Sequence, residues 1–441
     1  MKNYDAIVIG GGPGGIAAAY DLKEQNKSVA VIEADLWGGT CPNRGCDPKK
    51  ILMSAVEAKA RVEKLNGKGF NTSPEIHWEE LMKFKRSYTE SVPSNTKKGF
   101  EDAEIDTFEG QAEFIDAHTI EVADKQLSAK QFLIATGQRP AILPIEGQEY
   151  LQTSTDFLNL DNLPERIAFI GAGYIAFELA TIANAAGAEV HVIQHNDQPL
   201  KGFDKELAMN LADHLKNKGI TFHFNVDVAK VEPLDPGYRL SADNFELITD
   251  MVVVAAGRVP NIETLKLDKA GVTYSKRGIP VDEHLRTNQS HIFACGDVLE
   301  KAYPKLTPVS GFEASYVVNA MNGETEPIHY PLIPSLVFGD QKLARIGLSE
   351  KELSEHPEKY HSETMELGSW FTYFRINDQE AKIKLVYDDQ KKIVAITCFS
   401  ELADELINYF NLILEKKVSH EELADFIFAY PTPASDLEYF I

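Results

Sequence analysis

A diverged internal repeat does most to restrict what this chain can fold into. In the first copy the apolar run Asp5-Ala-Ile-Val-Ile-Gly10 enters the loop Gly10-Gly11-Gly12-Pro13-Gly14-Gly15, and a small-residue pattern of helical spacing follows from Ile16 to Leu22. In the second, Arg166-Ile-Ala-Phe-Ile-Gly171 enters Gly171-Ala172-Gly173-Tyr174-Ile175-Ala176 and continues as Phe177-Glu178-Leu-Ala180. Both read strand, tight turn, helix. A second apolar strand comes next in each copy, Ser28 to Ile32 and Glu189 to Ile193, which completes a βαβ unit. Strands this uniformly apolar belong to parallel sheets covered on both faces. The expected fold class is therefore α/β, with two doubly wound Rossmann-type nucleotide-binding domains.

The glycines have a shared physical purpose. The first permits a tight turn, the second lets backbone approach a pyrophosphate, and the third lets helix pack on strand, while free amides and the helix dipole hold the phosphates. One such loop also arises for steric reasons alone; two in register are harder to explain that way. Candidate cofactor contacts are Gly10, Gly12, Pro13, Gly14 and Gly15 in the first loop, and Gly171, Ala172, Gly173, Tyr174 and Ile175 in the second. Glu33 ends the second strand of copy one, where a carboxylate accepts ribose hydroxyls. The same count from Gly171 reaches Gln194, which is neutral, with His195 and Lys201 beyond it. A 2′-phosphate needs cationic donors and no facing carboxylate, so the second site favours NADPH over NADH, although His195 and Lys201 also read as solvated loop residues.

Gln131-Phe-Leu-Ile-Ala-Thr136-Gly137 and Asp250-Met-Val-Val-Val-Ala-Ala-Gly257 each read as a buried strand ending in a glycine turn, placed to close a nucleotide domain. Gln138-Arg-Pro-Ala-Ile-Leu-Pro144 is a candidate hinge, because proline fixes φ and biases its neighbour toward extended backbone. From about Pro327 the texture changes to strands over Ala381 to Tyr387 and Lys392 to Cys398, then an amphipathic helix from Leu402 to Glu415. That is an α+β tail without a glycine loop, suited to support or oligomerisation.

Composition excludes several classes. At 441 residues the chain exceeds one ordinary core. Its formal charge of −23, with no run of basic residues, disfavours nucleic acid as a partner. Apolar runs such as Met251 to Ala256 fall far short of the ~20 residues that cross a bilayer, and the N-terminus lacks the form of a secretory signal. The expectation is a cytoplasmic protein with no membrane partner and a small-molecule substrate.

Of the four cysteines, only Cys41 and Cys46 are close, in Gly38-Gly39-Thr40-Cys41-Pro-Asn-Arg-Gly-Cys46-Asp47-Pro-Lys49-Lys50. Four intervening residues allow the sulfurs to face each other across one helical turn, and the pattern to Lys59 is helical. A helix N-terminus stabilises a thiolate. Zinc is the alternative, but no further ligands stand at ligand spacing, so redox chemistry is favoured and no metal site is expected.

These residues make the chain resemble the flavoprotein pyridine nucleotide-disulfide oxidoreductases, the family of glutathione reductase, dihydrolipoamide dehydrogenase and mercuric reductase. Ile292-Phe-Ala-Cys-Gly-Asp297 is similar to the family's second FAD motif, and Thr307 in Leu-Thr-Pro and Ala112 in Gly110-Gln-Ala-Glu-Phe114 match FAD-contacting positions. Gly39, Thr40, Thr136, Gly137 and Gly257 also fall in cofactor-binding segments. Gly-Ala-Gly-Tyr174-Ile-Ala-Phe-Glu178 is most similar to the glutathione reductase branch, which implies that Tyr174 lids the flavin and Glu178 pairs with Lys49 near flavin N5. The resemblance further implies that Cys46 is the charge-transfer thiol against the flavin and Cys41 the interchange thiol that attacks substrate. It implies an FAD-binding domain over 1–145 and 262–326, an NAD(P)H-binding domain over 146–261, and a dimerisation domain over 327–441 that builds a homodimer.

The family's disulfide reductases end in His-Pro-Thr-x-x-Glu, whose histidine protonates the leaving thiolate. This chain reads Tyr430-Pro-Thr-Pro-Ala-Ser435-Asp436. A phenol, ordinarily titrating near ~10, is a poor proton shuttle beside an imidazole near ~6.5. Tyr430 either helps hold a metal ion, as in mercuric reductases, or fills the histidine's space; Asp436 is a displaced candidate for the glutamate. Tyr20 and Ser315 replace two arginines that bind glutathione carboxylates in the family, and losing two charge-assisted bonds of ~1.5–3 kcal/mol each disfavours glutathione. Asp47 is another departure, whose charge is expected to oppose a neighbouring thiolate.

Overall fold

The structure, a computed structural model, describes residues 2–441. The chain falls into two compact units. The first comprises Met1–Lys50, Lys83–Ala141 and Gly257–His329, and the second Ile51–Met82, Ile142–Ala256 and Tyr330–Ile441.

In the first unit a seven-stranded sheet runs in the order Asp106–Glu109, Val29–Glu33, Lys2–Ile9, Lys125–Ile134, Thr119–Val122, Glu113–Asp116, with Ile292–Ala294 also paired to Lys125–Ile134. Its nucleotide-binding part is parallel: Lys2–Ile9 lies between Val29–Glu33 and Lys125–Ile134. The expected closing strand at Gln131 is thus the far end of a longer strand in the sheet interior. Ile7, Val8, Ala30, Val31, Phe132, Leu133 and Ile134 are fully or almost fully buried, which is why these runs carry no polar alternation. The helix Pro13–Glu24 follows the first loop and buries Gly14, Gly15, Ala18, Ala19 and Leu22. Small residues at that spacing let the helix sit close.

The second unit contains a four-stranded parallel sheet in the order Thr221–Phe224, Glu189–Gln194, Arg166–Ile170, Met251–Val254. One face carries the almost wholly buried helix Tyr174–Ala185; Leu151, Ile170, Val228, Leu240 and Val254 form a separate cluster with an antiparallel three-stranded sheet. Past Tyr330, five antiparallel strands run in the order Ser335–Val337, Lys342–Gly347, Ile393–Ser400, Lys382–Asp388, Tyr360–Glu366. The helix Ala403–Lys416 buries Ala403, Leu406, Ile407, Phe410 and Ile413, the one-sided spacing of an amphipathic helix.

The candidate hinge at Gln138 is ordered: Gln138–Pro140 pairs antiparallel with Arg258–Pro260, and Ala141 N–H donates to the Gly257 carbonyl at 3.0 Å. A charged cluster that the sequence does not announce fastens the second unit internally. His214, on the helix Lys205–Asn217, places one ring nitrogen 3.0 Å from Asp340 and the other 2.6 Å from Glu380. Burial alone would lower the His214 pKa, but the two carboxylates outweigh it and push it up to about 9. Asp340 responds oppositely, drawn down to about 2 by His214, Lys218 and Lys64 against the effect of its own burial. Among the described residues no helix is long and apolar enough to cross a membrane.

Candidate active site

Each glycine loop is the shape its sheet demands. Gly10 and Gly171 have φ of +115° and +110°, and a side chain on either would meet a backbone carbonyl, Ala135 O at 2.4 Å or Ala255 O at 2.6 Å. A Cβ on Gly15 would lie 1.8 Å from the Gly10 carbonyl oxygen, so helix and turn touch backbone to backbone. The two loops also match at their far residues. Glu33 accepts from Gly11 N–H at 2.8 Å, and Gln194 accepts through Oε1 from Ala172 N–H at 2.9 Å. Burial raises the Glu33 pKa, opposed by the amides of Gly11, Asp35 and Ala34. Gln194 Nε2 donates to Asn196 at 2.9 Å, and Asn196 in turn lies 3.2 Å from His195. Lys201 is exposed.

Cys41 and Cys46 straddle a break. Thr40–Arg44 is a short helix, Gly45 leaves helical backbone, and Cys46 is the first residue of the helix Cys46–Lys64. The single helical turn expected from the spacing is therefore two helices with a kink, at a glycine whose Cβ would come 2.8 Å from the Thr40 carbonyl. The two sulfurs are chemically unequal. Cys46 is exposed, and Thr307 Oγ1 stands 3.6 Å from its sulfur. Hydrogen bonding from Cys41 lowers the Cys46 pKa most; Thr307 and the charges of Lys49 and Lys50 assist, and together they outweigh burial and bring it to about 6. The partner thiol moves the other way: its hydrogen bond to Cys46, then burial and the Cys46 and Asp47 charges, push Cys41 up. Asp47, by its charge, opposes ionisation of Cys41. Its Oδ1 lies 3.8 Å from Cys41 Sγ, and Tyr88 donates to its Oδ2 at 2.7 Å.

The remaining candidates distribute as follows. In the first unit Lys49 is buried, Ala112 lies in the core, and Gly39, at φ +69°, precedes Thr40. Thr136 donates to the Asn261 carbonyl at 2.7 Å, and Asn261 N–H donates to Gly137 O at 3.0 Å. Burial raises the Asp297 pKa against the pull of Arg258, Lys301 and Lys305. Beside these residues opens a cleft of about 670 Å³ lined by Arg258, Lys276, Arg277, Lys301 and Lys305 with Glu300. The sequence shows no basic run, yet the fold gathers these cations from three separate segments. Lys301 is paired with buried Glu313. In the second unit Glu178, fully buried, accepts from Phe338 N–H at 3.1 Å, whereas Tyr174 begins its helix half exposed. Tyr430 is 71% exposed with its ring stacked on Phe371 at 6.0 Å. Asp436 is buried, and that burial raises its pKa.

These residues fit a dinucleotide in each loop: glycines at Gly10, Gly15 and Gly171 where backbone crowding admits no side chain, a helix N-terminus directly after each turn, and Glu33 at the end of the adjoining strand for an adenosine ribose. Among the described residues no three His, Cys, Asp or Glu side chains gather to hold a metal ion.

Comparison with known proteins places the whole chain in one family. The family profile described as pyridine nucleotide-disulphide oxidoreductase matches residues 4–314, and the dimerisation-domain profile of the same family matches 333–439. A glutathione reductase of Burkholderia cepacia is 32% identical, covering 98% of this chain and 97% of its own length. A mercuric reductase of Staphylococcus aureus is 30% identical over 99% of this chain and 81% of its own. In fold, the HOCl-induced flavoprotein disulfide reductase RclA of Escherichia coli superposes with a TM-score of 0.89 at 24% identity, covering 99% of both chains. The chain accordingly belongs to the pyridine nucleotide-disulfide oxidoreductase family, whose members are NAD(P)H-dependent, FAD-containing oxidoreductases.

Proposed function

We propose that this enzyme draws electrons from NADPH through FAD into the Cys41–Cys46 pair and delivers them to a small disulfide or other oxidised sulfur compound. The observation that carries this reading is the inequality of the two sulfurs. Cys46 is a thiolate near neutral pH, steadied by Thr307 and by Lys49 and Lys50, while Cys41 keeps its proton. A reduced pair of this kind has one sulfur to attack substrate and one to resolve the mixed disulfide.

The first loop, with Glu33, Gly39, Thr40, Ala112, Thr136, Gly137, Asp297 and Thr307, is assigned to FAD. When bound, FAD accepts a hydride from the nicotinamide and releases electrons to sulfur. The second loop, with Tyr174 and Ile175, is assigned to the pyridine nucleotide. Gln194 presents an amide where Glu33 presents a carboxylate, and His195 and Lys201 follow it, which favours a 2′-phosphate. Lys49 and Glu178 are assigned to the flavin's redox edge, and residues 327–441 to a homodimer.

Glutathione disulfide is a poor fit. At the positions of the family's two carboxylate-binding arginines, Tyr20 stacks on Phe100 at 5.6 Å and Ser315 donates to Asp21 at 2.8 Å. An aromatic ring and an acidic neighbour do not attract a peptide carboxylate.

Anaerobic NADPH reduction followed by thiol titration tests the proposal. Two additional thiols per flavin are expected in the wild type and none in Cys41→Ser; full turnover of the substrate by that variant overturns it. The exposed Tyr430, where the family's disulfide reductases carry histidine, supports a second reading, reduction of metal ions, quinones or small oxidants. Under that reading Tyr430→His raises disulfide turnover without improving metal or quinone turnover. An unchanged disulfide rate removes its support.

A further inference from the structure

Asp47 has a geometry that its place in the cysteine motif does not explain. Its carboxylate is shared between two donors, the Cys41 thiol at 3.8 Å and the Tyr88 phenol at 2.7 Å. Asp47 is held on the first turn of the helix Cys46–Lys64, and Tyr88 comes from the last turn of Trp78–Thr89. Tyr88 is 44% exposed, so the far end of the chain Cys41–Asp47–Tyr88 opens to water. The groups acting on the attacking sulfur include Cys46, Thr307, Asp47 and the Tyr88 phenol, and those acting on Cys46 include Cys41, Thr307, Lys49 and Lys50. Of these, only Asp47 is an anionic oxygen directed at Cys41.

Disulfide exchange needs such a group. Cys41 holds its proton, and a thiol attacks a disulfide poorly until that proton leaves. The motif that supplies an imidazole in related disulfide reductases carries Tyr430 here. We propose that Asp47 is the proton carrier of the exchange step, serving as general base to the Cys41 thiol and then as acid to the departing thiolate, with Tyr88 as its positioning residue. This rests on the reading of the cysteine pair given above.

The step balances. As Cys41 sulfur attacks one sulfur of R–S–S–R′, its proton passes to the Asp47 carboxylate, a Cys41–S–S–R bond forms, and the substrate S–S bond breaks. The departing R′–S⁻ takes the proton from Asp47 and leaves as R′–SH. Cys46 thiolate then attacks Cys41 sulfur, forming the Cys41–Cys46 disulfide and releasing R–S⁻, which water protonates. The pair is oxidised by two electrons and the substrate reduced by two.

The test uses full-length FAD-loaded enzyme, reduced with NADPH and mixed with bis(2-hydroxyethyl) disulfide as a neutral probe. Asp47→Asn should still form two thiols per flavin, but re-form its disulfide about 10² times more slowly at pH 6.5. The deficit should narrow toward pH 9 as hydroxide removes the proton instead, and Asp47→Glu should recover part of the rate. Iodoacetamide labelling of Cys41 in the reduced protein, resolved by peptide mass spectrometry, should slow with the same pH dependence. Exchange in Asp47→Asn as fast as or faster than wild type overturns the proposal, as does a deficit that is constant with pH. Should that variant not fold, Tyr88→Phe decides: a slower exchange at pH 6.5 with normal thiol formation supports the proposal, and an unchanged rate overturns it. Failure of the underlying reading is distinct, because wild type would then yield no NADPH-dependent thiols before any disulfide is added.

Discussion

Glu33 and Gln194 occupy the same place in the two halves of the repeat, each accepting from the second residue of its glycine loop, Gly11 N–H at 2.8 Å and Ala172 N–H at 2.9 Å. One is a carboxylate and the other a neutral amide, so two copies of one strand-turn-helix unit differ by one ionisable group at the same position. Gln194→Glu should therefore move nucleotide preference toward NADH by about tenfold or more, through loss of NADPH affinity. The ratio of kcat/KM for NADPH and NADH measures it, and a ratio that does not move removes the role given to Gln194.

The first loop has no room for a side chain at Gly15, where a Cβ would lie 1.8 Å from the Gly10 carbonyl oxygen. Gly15→Ala should separate helix from turn and release the cofactor. The purified variant is expected to show a flavin-to-protein absorbance ratio well below wild type; full flavin retention would contradict the backbone contact.

Thr307 stands 3.6 Å from the sulfur of Cys46 and helps keep it ionised. Removing the hydroxyl in Thr307→Val should raise the Cys46 pKa from about 6 by about one unit, equivalent to ~1.4 kcal/mol. The pH dependence of ultraviolet thiolate absorbance in the reduced enzyme reports it. The thiolate exists above its pKa, so the variant should lose it at pH 6 to 7, where wild type retains it.

The His214 cluster carries a stability prediction with a definite sign. The folded pKa of His214 is raised to about 9, above the ordinary ~6.5, so its contribution is complete below ~6.5 and is lost as pH rises through about 9. Asp340, drawn down to about 2, contributes above its ordinary value of 3.8 and loses its contribution as pH falls toward about 2. His214→Ala takes from buried Asp340 the imidazolium at 3.0 Å and leaves it Lys218 at 3.4 Å, and should cost about 2 kcal/mol at pH 6. Denaturant melts of wild type and variant should converge as pH approaches 10.

What could be read from the sequence was what is decided locally. The need of Gly10 and Gly171 for left-handed backbone, the apolar runs at Ile7–Val8 and Val252–Val253, and the spacing of Leu406, Phe410 and Ile413 each follow from a short stretch of chain. Contacts between distant segments could not be read, because they depend on how separately formed elements come together. Asp47 meets Tyr88 across 41 positions, Cys46 meets Thr307 across 261, and His214 meets Asp340 across 126. The break at Gly45 was hidden for another reason: a four-residue gap between cysteines suits one helical turn just as well as two short helices, and only the Thr40 carbonyl pressing on Gly45 distinguishes them.

The other two cysteines give the molecule a built-in standard for its own oxidation state. Cys295 and Cys398 are sealed in separate cores, with burial pushing both thiols up and out of reach of reagents. If the pair cycles as proposed, a native sample should therefore present either none or two reactive sulfurs, according to whether a Cys41–Cys46 bond is closed or open. Unfolding the same sample adds two more in either case, so the ratio of counts before and after unfolding reports the fraction oxidised without needing the protein concentration.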